Sequence, residues 1–356
     1  MRVVTIVGNR PQFVKAAAVS APLRQTFEEI LVHTGQHHDD ELSAIFFEEL
    51  GVPEPDRQLG IHGGSNTEQT ARMLDALAGL LAELAPGMVL VYGDTNSTLA
   101  GALAAAQARI PVAHVEAGMR SFDRAMPEEL NRVLTDHASD LRLCSTPTAM
   151  ANLGNESVAG ESVLVGDVMA DVSIRFAPIA EERSRALEEH GLEPGAYVLA
   201  TAHRAGNVDD PERLALLVAL IESIPGPVVF PLHPRTKARL EEHGLTGRLE
   251  DVILTPPLGY LDFLKLTRHA RAVLTDSGGV QKEAYLLGTP CVTMRDTTEW
   301  VETVQAGWNV LVDLDAQAAL AALERDIPTG ERPELYGGGR AGERIVEALA
   351  AYTPAS

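Results

Sequence analysis

The sequence predicts an α/β protein with parallel sheets, and three observations carry that reading. Short apolar runs of strand length alternate almost without interruption with amphipathic or Ala/Leu-rich runs of helix length, the pattern of strand, helix, strand units. The same alternation restarts in the second half, so the 356 residues read as two domains rather than one. Polar and glycine-rich clusters fall at the strand ends in both halves, where an open parallel sheet keeps its ligand crevice.

Residues 3–7, Val-Val-Thr-Ile-Val, open the first sheet. Gly8-Asn9-Arg10-Pro11 then turns into a helix through Lys15, with Pro11 suited to the first helical turn and free N–H groups facing the crevice. Arg10 and Lys15 can hold a phosphate there; a sheet-capping arginine and a solvated helix lysine are the plainer reading. The turn does not carry the Gly-x-Gly-x-x-Gly dinucleotide fingerprint. After strand 30–33 comes Thr34-Gly35-Gln36-His37-His38-Asp39-Asp40. His37 and His38 are adjacent and point apart in an extended chain or differ by about 100° on a helix, so a helix start near Asp39 or Asp40 is expected rather than a metal site. Gly63-Gly64-Ser65-Asn66-Thr67 precedes an amphipathic helix to Leu84.

The central stretch reads as strand 88–92, helix 98–109 and strand 112–115 behind Pro111. Asp94 and Glu116 therefore follow strand ends and are delivered to the crevice. Glu128, beside Pro127 at a new helix start, adds a third carboxylate; the helix dipole, or an ion pair with Arg132 four residues on, also accounts for it. Strands at 141–145 and 163–166 complete the first half, and the domain boundary is expected near 166–171. In the second half, strands 197–201, 228–231 and 272–275 end in His203-Arg204, His233-Pro234-Arg235 and Asp276-Ser277-Gly278-Gly279. The last is the most informative: two glycines let backbone approach a ligand, Ser277 can donate to a phosphate oxygen, the following helix offers its N–H groups, and Glu283 can accept both hydroxyls of a ribose. A tight turn with a capping serine is the competing reading.

A formal charge of −21 argues against a nucleic-acid partner, which needs basic surface. Four lysines (Lys15, Lys237, Lys265, Lys282) leave positive charge sparse, so basic residues near glycine-rich turns stand out. Two cysteines, Cys144 and Cys291, cannot build a disulfide framework and read as small buried hydrophobes. No apolar run is long enough to span a bilayer and Met1-Arg2 lead straight into a strand, so the expected address is the cytoplasm, with no membrane partner.

Taken in order, Gly8-Asn9-Arg10-Pro11, Gly93-Asp94-Thr95, His114-Val115-Glu116-Ala117-Gly118, Pro127-Glu128-Glu129-x-Asn131-Arg132, Thr201-Ala202-His203-Arg204 and Asp276-Ser277-Gly278-Gly279 closely resemble the non-hydrolysing UDP-N-acetylglucosamine 2-epimerases, over residues 2–339. The resemblance implies two Rossmann-like domains facing each other across a cleft in the glycosyltransferase B arrangement: 1–168, and 169–339, with a helix at 340–356 returning to the first. It implies a homodimer, no redox cofactor and no required metal, and a UDP-sugar substrate. By motif, Arg10, Ser277, Gly278, Gly279 and Glu283 would bind UDP, and Asp94, Glu116, Glu128 and His203 would carry or support catalysis. Lys15, Arg132 and Arg204 join the expected substrate-binding set.

The implied route eliminates UDP to a 2-acetamidoglucal and adds it back from the other face, which calls for a base, an acid and stabilisation of the diphosphate. Closely placed carboxylates can have their pKa values pushed apart and so supply acid and base. Three departures from the family pattern stand out. Gly206 replaces a frequent Glu. Asp39 stands where some members use a glutamine for an activating UDP-sugar, so that site is not carried over. Thr298-Glu299-Trp300-Val301-Glu302 has Trp300 where many members have arginine, which brings in UDP-2,3-diacetamido-glucuronate as the competing substrate beside UDP-N-acetylglucosamine. A UDP-sugar-dependent glycosyltransferase and a non-catalytic nucleotide-sugar sensor are the rivals from other classes.

Overall fold

The computed structural model describes residues 1–36, 54–326, 328 and 331–353, leaving aside the side chain of Arg10. His37, His38, Asp39 and Asp40 lie outside the described residues. The chain divides into two units, Met1–Val172 with Glu334–Ser356, and Ser173–Pro333. The division falls inside helix Val168–Arg183, and the chain re-enters the first unit at Glu334.

Among the described residues the first unit holds a seven-stranded parallel sheet. Its strands are β1 (Arg2–Val7), β2 (Glu28–His33), β3 (Arg57–Gln58), β4 (Met88–Tyr92), β5 (Val112–Ala117), β6 (Leu141–Cys144) and β7 (Glu161–Leu164), in the order β3-β2-β1-β4-β5-β6-β7. Every residue of β4 is buried, as are Val3 to Val7 in β1; continuous burial belongs to strands covered by helices on both faces, and explains why these segments read as unbroken apolar runs. On one face Val4, Ile6, Val32, Val89 and Val91 pack with Met73, Leu77 and Leu81. Those three lie four residues apart on helix Asn66–Leu84, which opens with a capping box between Ser65 and Glu68.

Helix Asn96–Gln107 begins two residues before the expected 98, because Thr95 and Thr98 form a capping box and pull the start back to the turn after β4. After β7 the chain forms helices Val168–Arg183 and Ala186–Glu189. Helix Ala341–Ala351 packs on helix Arg10–Thr26 within the first unit. Its first N–H groups, on Ala341 and Gly342, donate to the Asp171 carboxylate at 2.9 and 2.7 Å. Gly342 is required there, since a Cβ on it would lie 2.4 Å from the Ala18 carbonyl oxygen.

The second unit repeats the plan. β8 (Val198–Thr201), β9 (Val228–Pro231), β10 (Ile253–Thr255), β11 (Ala272–Thr275), β12 (Cys291–Thr293) and β13 (Asn309–Leu311) form a parallel sheet in the order β10-β9-β8-β11-β12-β13. Val198, Ala200, Phe230 and Leu274 pack with Leu214, Leu217, Val218 and Ile221 of helix Pro211–Ser223. Both units are thus Rossmann-like, in agreement with the α/β class read from the sequence. Cys144 and Cys291 are buried, and burial pushes each thiol up to about 12, as befits the apolar role assigned to them. No described helix is long and apolar enough to cross a membrane.

Candidate active site

Strand order reverses between β1 and β4 in the first unit and between β8 and β11 in the second, and open parallel sheets bind ligands outside the carboxyl ends of such pairs. At the first reversal the turns after β1 and β4 are sewn together by Gln12. Buried in helix Arg10–Thr26, it donates through Nε2 to the Tyr92 carbonyl (2.6 Å) and the hydroxyls of Thr95 (3.0 Å) and Thr98 (2.9 Å), while its Oε1 accepts from the Gly8 N–H (2.7 Å). Gly8 has no room for a side chain: a Cβ would fall 1.9 Å from Ser97 Oγ.

Above this floor the predicted residues meet. Glu116, the last residue but one of β5, has φ +71, where the register to β6 slips between Val115 and Ala117. A non-glycine residue in the left-handed region at a bulge is a strained position, and such strain clusters at functional sites. There the Glu116 carboxylate forms an ion pair with Lys15, from the helix that follows β1. The pair lies directly over Gly93, whose φ is +63 and whose added Cβ would stand 3.2 Å from Lys15 Nζ and 3.3 Å from Glu116 Oε2. Burial opposes the charge of Lys15, but the Glu116 and Asp94 carboxylates outweigh it and raise its pKa above the ordinary value. Next to it, Arg132 donates to Asp94 at 2.6 Å and to Glu129 at 2.9 Å, and Asn131 donates to the Asp94 carbonyl at 3.0 Å. Burial would raise Glu129, yet bonds from Ser121, Arg132 and Phe122 hold it below the usual carboxylate range.

Glu128 is exposed in the first turn of helix Pro127–Ala138. The ion pair with Arg132 that the sequence offered as its plain explanation is not made; Arg132 engages Glu129 and Asp94 instead. Lys15 and Arg132, expected among the substrate-binding cations, both stand against carboxylates, Lys15 on Glu116 and Arg132 on Asp94.

At the second reversal, Asp276 is fully buried and accepts from the N–H groups of His203 (3.2 Å) and Arg204 (3.0 Å) and from Asn207 Nδ2 (3.3 Å), which fixes the turn after β8 beside the start of helix Gly278–Leu287. His203 Nδ1 is 3.8 Å from the same carboxylate. Ser277 occupies the cap position of that helix but makes no side-chain capping bond, so the capping-serine reading fails and the first N–H groups of the helix are not satisfied by it. Glu283 is buried one turn and a half further on, and burial followed by the Glu283 charge drives the Tyr260 pKa well above its ordinary value.

Arg295 forms a two-pronged ion pair with Glu299 at 2.8 and 2.9 Å, and Arg204 reaches Glu299 at 3.6 Å. Burial raises the Glu299 pKa, but the Arg295 bonds and charge bring it down to about 2. Trp300 is buried, with Lys282 Nζ 4.1 Å from its ring centroid and its Nε1 near Gly278, 3.4 Å from where a Cβ would be. Gly206 is exposed, with open space where a side chain would begin.

Sequence reasoning named the carboxylates, the glycines and the helix start, but not Gln12, Glu129, Arg295 or the bracing part of Asp276. A polar residue on an otherwise apolar helix face was the available signal for Gln12. The spacing of an arginine and a glutamate four residues apart, Arg295 and Glu299, was the signal for that pair.

A family model described as UDP-N-acetylglucosamine 2-epimerase matches residues 21–350. The chain is 50% identical to the UDP-2,3-diacetamido-2,3-dideoxy-D-glucuronate 2-epimerase of Pseudomonas aeruginosa, over 98% of this chain and 99% of the relative. It is 42% identical to the UDP-N-acetylglucosamine 2-epimerase of Methanocaldococcus jannaschii, over 98% and 99%. Among solved structures, the M. jannaschii enzyme in complex with UDP-GlcNAc and UDP superposes with a TM-score of 0.91 at 40% identity, covering 98% of this chain and 99% of that one. The Neisseria meningitidis enzyme bound to UDP-GlcNAc gives 0.88 at 30% identity, covering 99% and 100%.

Proposed function

This chain belongs to the UDP-N-acetylglucosamine 2-epimerase family, whose members are isomerases, and on that premise we propose that it interconverts UDP-N-acetylglucosamine and UDP-N-acetylmannosamine. The observation that supports this most is the meeting of Asp94 and Glu116 with Lys15 and Arg132 around Gly93. Inversion at carbon 2 must remove a hydrogen that no neighbouring carbonyl acidifies. A carboxylate takes the carbon-2 proton as the bond from carbon 1 to UDP breaks, leaving a 2-acetamidoglucal; a carboxylic acid then protonates the opposite face of carbon 2 as UDP returns to carbon 1. Asp94, Glu116 and Glu128 carry these transfers. Residues 276–283 hold UDP through Ser277, Gly278, Gly279 and the open helix start, with Glu283 on the ribose, and His203, Arg204 and Arg10 balance the diphosphate charge. The enzyme works in the cytoplasm without a metal or redox cofactor.

Turnover of UDP-N-acetylglucosamine in deuterated water is expected to place solvent deuterium at carbon 2, whereas a transferase or a sensor leaves that carbon unlabelled. Ser277→Ala and Glu283→Ala are each expected to weaken UDP binding by about 1 to 3 kcal/mol. Calorimetry checks this, and unchanged affinity in both would move the nucleotide elsewhere.

A second substrate has a specific observation behind it. Trp300, beside Gly278 and over Lys282, puts a broad ring where a guanidinium is common in the family, and the 50%-identical relative acts on the 2,3-diacetamido uronate. The ratio of kcat/KM for the two nucleotide sugars decides between them. A preference of about 100-fold for the uronate, about 2.7 kcal/mol, would replace the substrate and leave the reaction intact.

The assembly we infer is a homodimer. Leu130 and Leu134 lie one helical turn apart and exposed on helix Pro127–Ala138, and Phe122, whose N–H donates to Glu129, is 74% exposed in the loop before it. An apolar group of this kind favours a second copy of the chain. Light scattering at micromolar concentration is expected to give twice 38.1 kDa, and a monomer refutes it.

A further inference from the structure

His114 takes no part in the proton transfers above, yet both of its ring nitrogens are engaged beside the turns that carry Asp94 and Glu116. It lies in β5, fully buried, two residues before Glu116. Nε2 donates to the Gly93 carbonyl at 2.7 Å, and Nδ1 lies 2.7 Å from Asp136 Oδ1. The other oxygen of Asp136 accepts from the Gly118 N–H at 3.1 Å and from Arg120 Nη1 at 2.7 Å, and Arg120 continues to Glu156 at 2.7 and 2.8 Å. Burial works against the Asp136 carboxylate, but the facing charges and hydrogen bonds of His114 and Arg120 keep its pKa below the ordinary value. A carbonyl and an ionised carboxylate can only accept, so both ring nitrogens donate.

The anchors are placed with respect to the chemistry. Gly93 immediately precedes Asp94, and Gly118 follows Glu116 by two residues; both glycines adopt positive φ, at +63 and +79. The Gly93 N–H donates to the Val115 carbonyl at 3.0 Å and the Gly118 carbonyl accepts from Asn152 at 3.0 Å, but neither bond joins one turn to the other; the ring with its carboxylate spans between them.

We propose that His114 is a positioning residue: a doubly protonated imidazole that, with Asp136, locks the Gly93 and Gly118 turns at one separation and thereby sets Asp94 and Glu116 relative to each other. The inference rests on the reading that these carboxylates transfer the protons. Because the ring is sealed from solvent, it acts through the turns and never touches the sugar.

The test compares His114→Asn, His114→Ala and Asp136→Asn with Glu116→Gln, measuring kcat, KM, UDP affinity by calorimetry and the thermal midpoint. His114→Ala is expected to lower kcat by about 10²-fold, the scale of loss when reacting groups are misplaced by about 1 Å, with UDP affinity unchanged. His114→Asn keeps a donor and a similar shape, is expected to lose less, and together with Asp136→Asn carries the test if the alanine variant does not fold. Adding His114→Asn to Glu116→Gln is expected to cost little beyond Glu116→Gln alone, because residues acting as a unit are non-additive. Nitrogen-15 spectra of the folded protein are expected to show protons on both ring nitrogens of His114, identified by its loss in His114→Asn. Folded His114 variants with wild-type kcat, losses that multiply with Glu116→Gln, or a singly protonated ring would each overturn the proposal while the carboxylate reading stands. Normal turnover in Glu116→Gln and Asp94→Asn would instead remove that reading, and this proposal with it.

Discussion

Glu116→Gln is expected to lower turnover by about 10²- to 10⁴-fold, or about 3 to 5 kcal/mol of barrier, while UDP affinity stays close to wild type. The exchange keeps the size and the backbone position of the side chain and removes its capacity to gain or release a proton. It also takes from Lys15 its nearest counter-charge; burial, the largest influence on that lysine, then acts against only the more distant Asp94 and Asp167, so its ammonium is held less firmly. UDP is the control, because Ser277, Gly278, Gly279 and Glu283 belong to a different unit of the chain. Asp94→Asn is expected to behave the same way. Glu128→Gln is the sharper comparison, since Glu128 is exposed and makes no pair with Arg132. Steady-state kinetics with calorimetry measures all three, and near-normal turnover in Glu128→Gln would return that residue to the helix dipole.

Arg295→Met is expected to destabilise the protein by about 3 to 5 kcal/mol, the cost of leaving a buried charge without its partner. Glu299 is buried and takes two bonds from Arg295, with Arg204 too far away at 3.6 Å to replace them. Adding Glu299→Gln is expected to recover much of the loss, because most of the cost is the uncompensated carboxylate. The pH dependence has a definite sign. The folded-state pKa of about 2 lies below the ordinary 4.5, so the contribution of Glu299 is complete above pH 4.5 and is lost as pH falls toward 2. The gap between wild type and Arg295→Met in urea denaturation is therefore expected to be full near neutral pH and to shrink below pH 4.5. A gap that widens on acidification refutes this account.

Much of this was legible in the sequence, for a physical reason. Parallel strands buried on both faces leave largely apolar runs, and glycines with polar residues at their ends mark the crevice, so β1, β4, β5, β8 and β11 and the turns behind them can be found without coordinates. Side-chain partners could not. Glu128 and Glu129 are neighbours with the same chemistry, and only the curl of the chain at Ser121 and Phe122 brings Glu129 inward to Arg132 and leaves Glu128 outside. Lys15 reads as a phosphate ligand until the bulge at Glu116 brings a carboxylate to it across β4. Gln12 is linked to residues 80 and 86 positions away, and no local pattern encodes such a bond.

Helix Ala341–Ala351 sets an order on biosynthesis. The chain leaves the first unit at Val172, completes the second, and supplies this helix only after Glu334, so on the ribosome the second unit is fully emerged before the first has its last layer. Until then helix Arg10–Thr26 is uncovered at Ala18, and Asp171 waits without the two amides it will hold. The late helix must then dock through a glycine-sized gap, which makes Gly342 a gatekeeper of maturation as well as a packing residue. Gly342→Ala is a lesion that newly made chains meet only after both sheets have been synthesised, when this helix docks on helix Arg10–Thr26.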